Sequence, residues 1–390
     1  MRRSSPSQAR QSSWRSILAL AAASILAAST RTDALSLVVD GPEKVLFNQA
    51  TDACDASDMP DSPARAFRDA QGVMVLFAPN YRNRAFTGPD LDHLTHDCTI
   101  RFAASGNADP ALLDDRSWLH AFHTDNGRDV FAFATASFIP YRHDIPCAAG
   151  TERTDCWYNG LAALHSNDGG ATFRYLGSPP RQIAFPPPEP YRSDVEDPAG
   201  FLTATNIVAW NGSLYTILWR RGGDGETKSH NCLARASAND VMAWDVWSGS
   251  EFVPAARFDG EGWSTLTTAC GAVGPTTQPN IRGLVLHART QTFVAAFQYR
   301  MGKTLGFFYA TSKDLITWST PELLLAVDLQ PDDPHRASWA GYPSIIDDTS
   351  RDRDFGSIGE TASLVFVRFL PKGQRSVTRQ LVTVPIRVED

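Results

Sequence analysis

The chain has 390 residues, a formal net charge of −7 and nine scattered histidines. So acidic a composition argues against nucleic acid as a partner, because phosphates require a basic footprint, and it disfavours an anionic membrane surface. The length admits two ordinary domains or one large all-β unit.

Residues 1–34 read as a secretory signal peptide. Arg2, Arg3, Arg10 and Arg15 make a basic start, no acidic residue precedes Asp33, and Ile17–Ala28 is an apolar run followed by small residues. That run falls short of the about 20 residues a membrane span needs, and an uncleaved anchor is the competing reading. Without this segment the formal charge moves from −7 to about −11. The protein is expected to be secreted or periplasmic, monomeric and free of the membrane once the signal is removed.

Six cysteines follow: Cys54, Cys98, Cys147, Cys156, Cys232 and Cys270. An even count behind a signal peptide reads as three disulfides. Sequential pairing is the expected connectivity, each bridge stapling one local loop system. No CxxC or HxxxH spacing offers a metal site, and no cofactor is expected.

Strand signals dominate the rest. Short β-rich runs such as Val73–Phe77, Val130–Phe133, Leu214–Leu218, Phe293–Phe297 and Leu364–Phe369 lie between Gly, Pro, Asn and Asp clusters. Each follows an earlier strand and a turn. Phe67–Gly72 leads into the first run, Phe122–Gly127 into the second, Ile207–Gly212 into the third, Leu284–Arg289 into the fourth and Ile345–Asp348 into the fifth. Turn residues of this kind supply the positive φ that hairpins need. Five units at roughly 55 to 75 residue spacing predict a five-bladed β-propeller with four-stranded antiparallel blades over residues 35–390. The run Leu35–Asp40 is expected to complete the last blade beside Leu381–Val388, removing two free edges. Asn211-Gly212-Ser213 is a formal glycosylation sequon but reads better as a type I′ hairpin turn.

A second repeated element is Ser166-Asn167-Asp168-Gly169-Gly170-Ala171-Thr172-Phe173, with a shortened version in Ser312-Lys313-Asp314 and Thr317-Trp318 and a distant one from Ser237 to Trp244. The pattern Ser-x-Asp-x-Gly-x-Thr-aromatic resembles the Asp box of sialidase-like propellers. The resemblance implies a structural turn whose Asp bonds backbone amides, so Asp168 and Asp314 are not read as catalytic.

Candidate chemistry sits where inner strands begin: Asp61-Ser62-Pro63-Ala64-Arg65, Thr205-Asn206, Gln278-Pro279-Asn280 and Gly341-Tyr342-Pro343-Ser344. The Asp61 region resembles the opening segment of five-bladed arabinanase and β-xylosidase type glycosidases, and Tyr342–Asp347 is similar to their last blade. That resemblance implies carboxylates from several blades around one funnel. Asp61 matches the first, and Glu196 can reach the funnel only through a loop. Thr277-Gln278-Pro279 stands where the family has a Glu before its Pro, which leaves the proton donor unassigned.

Arginines near the ends of the second strands suggest another chemistry. Arg82 with Arg84, Arg142, Arg220, Arg300 and Arg368 follow or neighbour aromatic or apolar residues, and Arg65 adds one on the first inner strand. Guanidinium groups bind carboxylate or sulfate in bidentate fashion, and sialidase-like enzymes use such a cluster with a Tyr nucleophile. The alternative is that these arginines pair with carboxylates of neighbouring blades. The long loop bracketed by Cys147 and Cys156 is expected to hold Trp157, Tyr158 and Asn159 near the funnel mouth, unless the two aromatics are core packing.

The candidate catalytic residues are Asp61, Tyr158, Glu196 and Tyr342, with Asp61 as acid or base. Arg65, Arg84, Asn159, Asn206, Arg220 and Arg300 are the candidate substrate-binding residues. The expected function is that of a secreted glycoside hydrolase-like enzyme for acidic or modified glycans. A non-catalytic glycan-binding propeller is the alternative, and an interaction scaffold without a sugar site is the third reading.

Overall fold

Among the described residues, helix is confined to one-turn segments at Gln49–Asp52, Leu91–His93 and Pro140–His143. Elsewhere β-branched and aromatic residues between polar turns make strand, as their fit to a pleated, half-buried surface requires. The computed structural model describes residues 35–147, 156–195, 198–222, 229–372 and 376–389, within a unit spanning Leu35–Glu389.

β1 (Ser36–Val39) and β2 (Lys44–Asn48) precede an antiparallel meander of β3 (Arg65–Arg68), β4 (Met74–Phe77), β5 (Ala85–Gly88) and β6 (Thr95–Asp97). β7 (Arg116–His123), β8 (Val130–Phe138) and β9 (Tyr158–Ser166) repeat the pattern, with β10 (Arg174–Tyr175) and β11 (Ile183–Phe185) both on β9. β12 (Ala199–Ala204), β13 (Val208–Trp210), β14 (Ser213–Arg221), β15 (His230–Ser237), β16 (Asp240–Trp247), β17 (Phe252–Phe258), β18 (Trp263–Thr265) and β19 (Ala272–Val273) come next. A further meander is β20 (Ile281–His287), β21 (Thr292–Met301), β22 (Thr304–Ser312) and β23 (Glu322–Ala326). β24 (Trp339–Ile346), β25 (Ser357–Ile358), β26 (Thr361–Pro371) and β27 (Val377–Glu389) end the chain.

Hydrogen bonding gathers these strands into curled sheets of 5, 13, 5 and 4 strands. The expectation of separate four-stranded sheets is corrected here, because β9 and β12 pair in parallel and fuse two units into the 13-stranded sheet. Gly200 permits this. Its φ is +97°, and a Cβ there would stand 2.0 Å from the Asn159 carbonyl oxygen, an approach open only to glycine. At the chain ends, β1 and β2 both pair antiparallel with β27, Val38 opposite Arg387 and Val45 opposite Val382. The N-terminal run thus joins the C-terminal strand as its pattern predicted. Asn211 and Gly212, at φ 49° and 74°, form the two-residue turn between β13 and β14, the geometry of a type I′ hairpin.

The core lies between neighbouring sheets and inside the curl of the 13-stranded sheet. Phe67, Phe77, Phe122 and Phe173 pack together with ring centroids 4.9–6.4 Å apart, and Trp244 packs on Phe131 and Phe133. Each such ring removed from water contributes about 1.5–3 kcal/mol. The cysteines pair sequentially: Cys54–Cys98, Cys147–Cys156 and Cys232–Cys270.

Asp168 and Asp314 sit in turns, as expected. Asp168 accepts from Ser166 Oγ, Thr172 N and Thr172 Oγ1, between β9 and β10. Asp314 accepts from Ser312 Oγ, Ile316 N and Thr317 N, between β22 and β23. Phe173 is buried, and Trp318 closes its own turn through Nε1 to the Leu315 carbonyl, 2.9 Å.

One irregularity recurs on the inner strands. The ladder slips by a residue between Leu119 and Ala121 on β7, Phe201 and Thr203 on β12, Ile281 and Gly283 on β20, and Gly341 and Ser344 on β24. A bulge frees backbone groups from the ladder and turns a side chain to a new direction. Side-chain amides from the neighbouring unit satisfy several freed groups. Asn83 Oδ1 accepts from Leu119 N at 2.8 Å, Asn231 Oδ1 from Ile281 N at 3.1 Å and Gln298 Oε1 from Tyr342 N at 3.1 Å.

Candidate functional site

The bulge residues His120, Leu202, Arg282 and Tyr342 all line one cleft of about 190 Å³. Regular strand fills in between them, because side chains two apart share a face. β8 thus presents Thr135 with Ser137, Trp157 with Asn159 flank the start of β9, and Trp118 joins the bulge residue His120 from β7. Asp61 and Pro63, just before β3, complete the wall.

Tyr342 and Asp61 stand together in the cleft. The Tyr342 hydroxyl points to Asp61 Oδ1 at 3.5 Å. Burial, then the Asp61 charge, pushes its phenol up to about 12, against the pull of Arg379 and Arg282, so Tyr342 is protonated at neutral pH. Its backbone φ of 59° lies in the left-handed region, which costs a bulky side chain about 1–2 kcal/mol. Such strain persists only where its surroundings impose it, and here Gln298 holds the Tyr342 amide. Arg379 pairs with Asp61 and donates to the Pro60 carbonyl at 3.1 Å. Its guanidinium lies 4.8 Å from the centre of the Phe369 ring.

Trp118 and Trp157 stack with centroids 6.3 Å apart and planes 17° from parallel. Asn159 is almost wholly buried; its Oδ1 accepts from Ser137 Oγ at 2.6 Å and its Nδ2 donates to the Ala199 carbonyl at 3.0 Å. Arg282 stands 5.3 Å from the Tyr342 ring centre, and burial pulls its pKa below the ordinary value. His120 is 4% exposed. Burial, then Arg65 and Arg282, holds its pKa down to about 3, so the imidazole is neutral.

Of the residues singled out in the sequence, Asp61, Tyr342 and Asn159 come together in this cleft. Arg65 is 2% exposed and donates to the Ala64, Ala204 and Arg282 carbonyls and to Ser344 Oγ, tying several inner strands rather than lining the cleft. Asn206 Oδ1 accepts from Leu284 N at 3.0 Å, a link between neighbouring units. Tyr158 and Arg220 line a separate pocket with Glu189 and the prolines at 187, 188 and 190, where the Tyr158 hydroxyl donates to the Glu189 carbonyl. Arg84 is spent on Asp55 at 2.6 Å, Arg142 pairs with Asp115 and Arg368 with Glu43, and Arg300 is exposed. A single arginine rim is therefore not what these residues build, and for Arg84, Arg142 and Arg368 the structural pairing expected as the alternative is what occurs. Glu196 lies outside the described residues. His120 and Arg282 were missed because each stands inside a strand at a position where a bulge, invisible in the sequence, turns it to the cleft.

No family model matches the chain, and no curated protein matches it. Among solved structures, a protein of unknown function from Dyadobacter fermentans DSM 18053 is 12% identical with a TM-score of 0.50, over 91% of this chain and 99% of that one. It speaks to the fold alone. An endo-arabinase from Bacteroides thetaiotaomicron VPI-5482 is 14% identical with a TM-score of 0.47, over 86% of this chain and 99% of that one. An α-L-arabinanase from Penicillium chrysogenum is 10% identical at 0.44, over 89% and 98%. No residue role is carried over from either.

Proposed function

We propose that this protein is a secreted, carbohydrate-active enzyme with glycoside hydrolase-like chemistry on acidic or modified glycans, and that residues 35–390 form one five-bladed β-propeller behind a signal peptide. The contacts between inner strands support the ring: β3 meets β7, β7 meets β12, β13 and β14 meet β20, β20 meets β24, and β24 returns to β3. Three disulfides accord with an oxidising compartment.

The observation that carries the reading is the Tyr342–Asp61 couple beside the Trp118–Trp157 stack. Indole faces stack on sugar rings and keep water from the contact. A phenol backed by a carboxylate replaces the two-carboxylate arrangement in some glycosidases. In this reading Tyr342 Oη bonds to the anomeric carbon as the glycosidic C–O bond breaks, the phenol proton passes to Asp61 and the departing oxygen takes a proton from solvent. Water then displaces the sugar from Tyr342 and gives its proton to solvent, Asp61 returns the phenol proton, and Arg379 holds that carboxylate in place throughout. Tyr342→Phe and Asp61→Asn then lose reducing-sugar release on a panel of uronic, sialylated and neutral glycans, while glycan binding survives. Release undiminished in both variants would remove the couple from the chemistry.

One observation favours the binding-module reading: Asp61 is the sole carboxylate among the described residues lining the cleft, and it is already paired with Arg379. Binding by the wild-type protein with no release from any glycan on the panel would establish that reading instead.

A further inference from the structure

The cleft carries more positive charge than it neutralises. Arg282 lines it, the buried Arg65 stands behind and donates to the Arg282 carbonyl, and Asp61, paired with Arg379, is the one carboxylate among the described residues lining it. Arg65 spends its bonds on carbonyl and hydroxyl oxygens. Among the described residues no carboxylate pairs with the buried Arg65 or with the half-buried Arg282, in a chain whose formal charge is −7. Arginine cannot shed its proton to escape such a site, and an unneutralised buried charge is costly.

Hydrogen bonding tells the same story by an independent route. Arg282 Nε, His120 Nδ1 and Thr203 Oγ1 are buried without a partner, and all three residues line the cleft. Native proteins pair nearly all such atoms. Arg282 Nε–H and the Thr203 hydroxyl are donors, and the neutral imidazole of His120 donates from Nδ1 in one tautomer. A ligand group that only accepts satisfies the set. The free Nε edge of a guanidinium presents two parallel N–H groups when joined by its neighbouring Nη, the geometry that grips a planar carboxylate at both oxygens.

We propose that the floor of this cleft is the seat of a sugar carboxylate, that of a uronic acid residue, with Arg282 as its cation and His120 and Thr203 as further hydrogen-bond partners. This rests on the glycan reading above and names what that reading leaves open: which acidic group is recognised, and by which residues. Arg282, a bulge residue beside Tyr342, places the carboxylate next to the reactive couple, so the charged residue itself occupies the site.

The test compares uronic acid oligosaccharides (glucuronate, galacturonate and mannuronate) with their methyl esters, which keep shape and lose charge. Neutral and sulfated oligosaccharides of the same length complete the set, and binding is read from tryptophan fluorescence of the full chain. At least one free acid should bind about tenfold or more tighter than its ester, the gain of a charge-assisted pair. Arg282→Gln should abolish that preference by weakening acid binding about tenfold more than ester binding, and Arg282→Lys should restore part of it. Circular dichroism of each variant establishes that it is folded. Acid and ester binding equally, sulfated sugars binding more tightly than carboxylates, or Arg282→Gln weakening acid and ester alike would each overturn the proposal while the glycan reading stands. Binding of no oligosaccharide at all would overturn both.

Discussion

Asn231 lends itself to a quantitative test of how the cleft is held. Its side chain is fully buried, donating from Nδ2 to the Pro279 carbonyl at 2.9 Å and accepting at Oδ1 from Ile281 N at 3.1 Å. Ile281 precedes the bulge at Arg282, so Asn231 replaces the ladder bond that the bulge forfeits. Asn231→Ala removes two hydrogen bonds, each contributing about 1 kcal/mol net, and leaves a buried N–H and C=O unpaired; the expected loss is about 2–4 kcal/mol. Urea unfolding should show a lower midpoint with an unchanged slope. Asn239→Ala, at an exposed turn, should stay within about 0.5 kcal/mol of wild type. Because Arg282 is the next residue but one from the orphaned proline carbonyl's neighbour Asn280, its placement should loosen too, and binding of a uronic oligosaccharide should weaken under conditions where the variant is fully folded. A stability loss below about 1 kcal/mol, with binding intact, would refute the idea that neighbouring amides brace the bulges.

Three further predictions concern the rest of the molecule. His123 Nδ1 and Asp354 Oδ2 meet in a buried contact at 2.5 Å. Burial raises Asp354 from 3.8 to about 6 against the pull of His123, and burial lowers His123 but Asp354 outweighs it and raises it above 6.5. Both groups bind protons more tightly when folded, so their stability is present at low pH and is lost as pH climbs, for Asp354 between about 4 and 6 and for His123 above its unfolded value. The stability difference between wild type and Asp354→Asn should therefore shrink from pH 5 to pH 8 in urea titrations, and a widening gap would contradict the assignment. Asp168→Ala should cost about 1–2 kcal/mol through its three turn bonds and leave glycan binding untouched; a selective binding loss would make Asp168 part of the site. Replacing Cys232 and Cys270 together, 38 residues apart, should cost about 4 kcal/mol by the loop-closure estimate, read by calorimetry, and an unchanged melting temperature would count against it.

The fold was legible because its signal is local and repeated. Strand, turn and strand recur with Asn, Asp and Gly at the hinges, and Asn211-Gly212 alone sets one hairpin. The sequential disulfides and the pairing of residue 38 with residue 387 follow from the need of each loop and each edge to find a partner nearby or across the chain ends. What escaped was the fusion of β9 with β12, which turns on one glycine meeting one carbonyl and leaves no periodic trace.

The site was half legible, and the missing half has a single cause. Asp61 stands just before β3, so its polarity reads as exposure near a funnel, and Tyr342 was legible through the likeness of its segment to a last blade, although it too occupies a bulge. Arg84 and Arg142 look the same in sequence, but Asp55 and Asp115 claim them from segments 29 and 27 residues away, a separation that carries no pattern. His120 and Arg282 fail for the opposite reason. Strict alternation assigns each position of a strand to one face, and both residues occupy bulges, where alternation breaks. A bulge in turn is stable only if another unit supplies an amide to the freed N–H, as Asn83, Asn231 and Gln298 do. The chemistry of the cleft is therefore written in pairs of residues on different sheets. Asn206, which reads as a ligand contact, belongs to the same class of braces: its carboxamide faces a backbone amide of the next unit, and its polarity serves the scaffold that aims Arg282 and Tyr342.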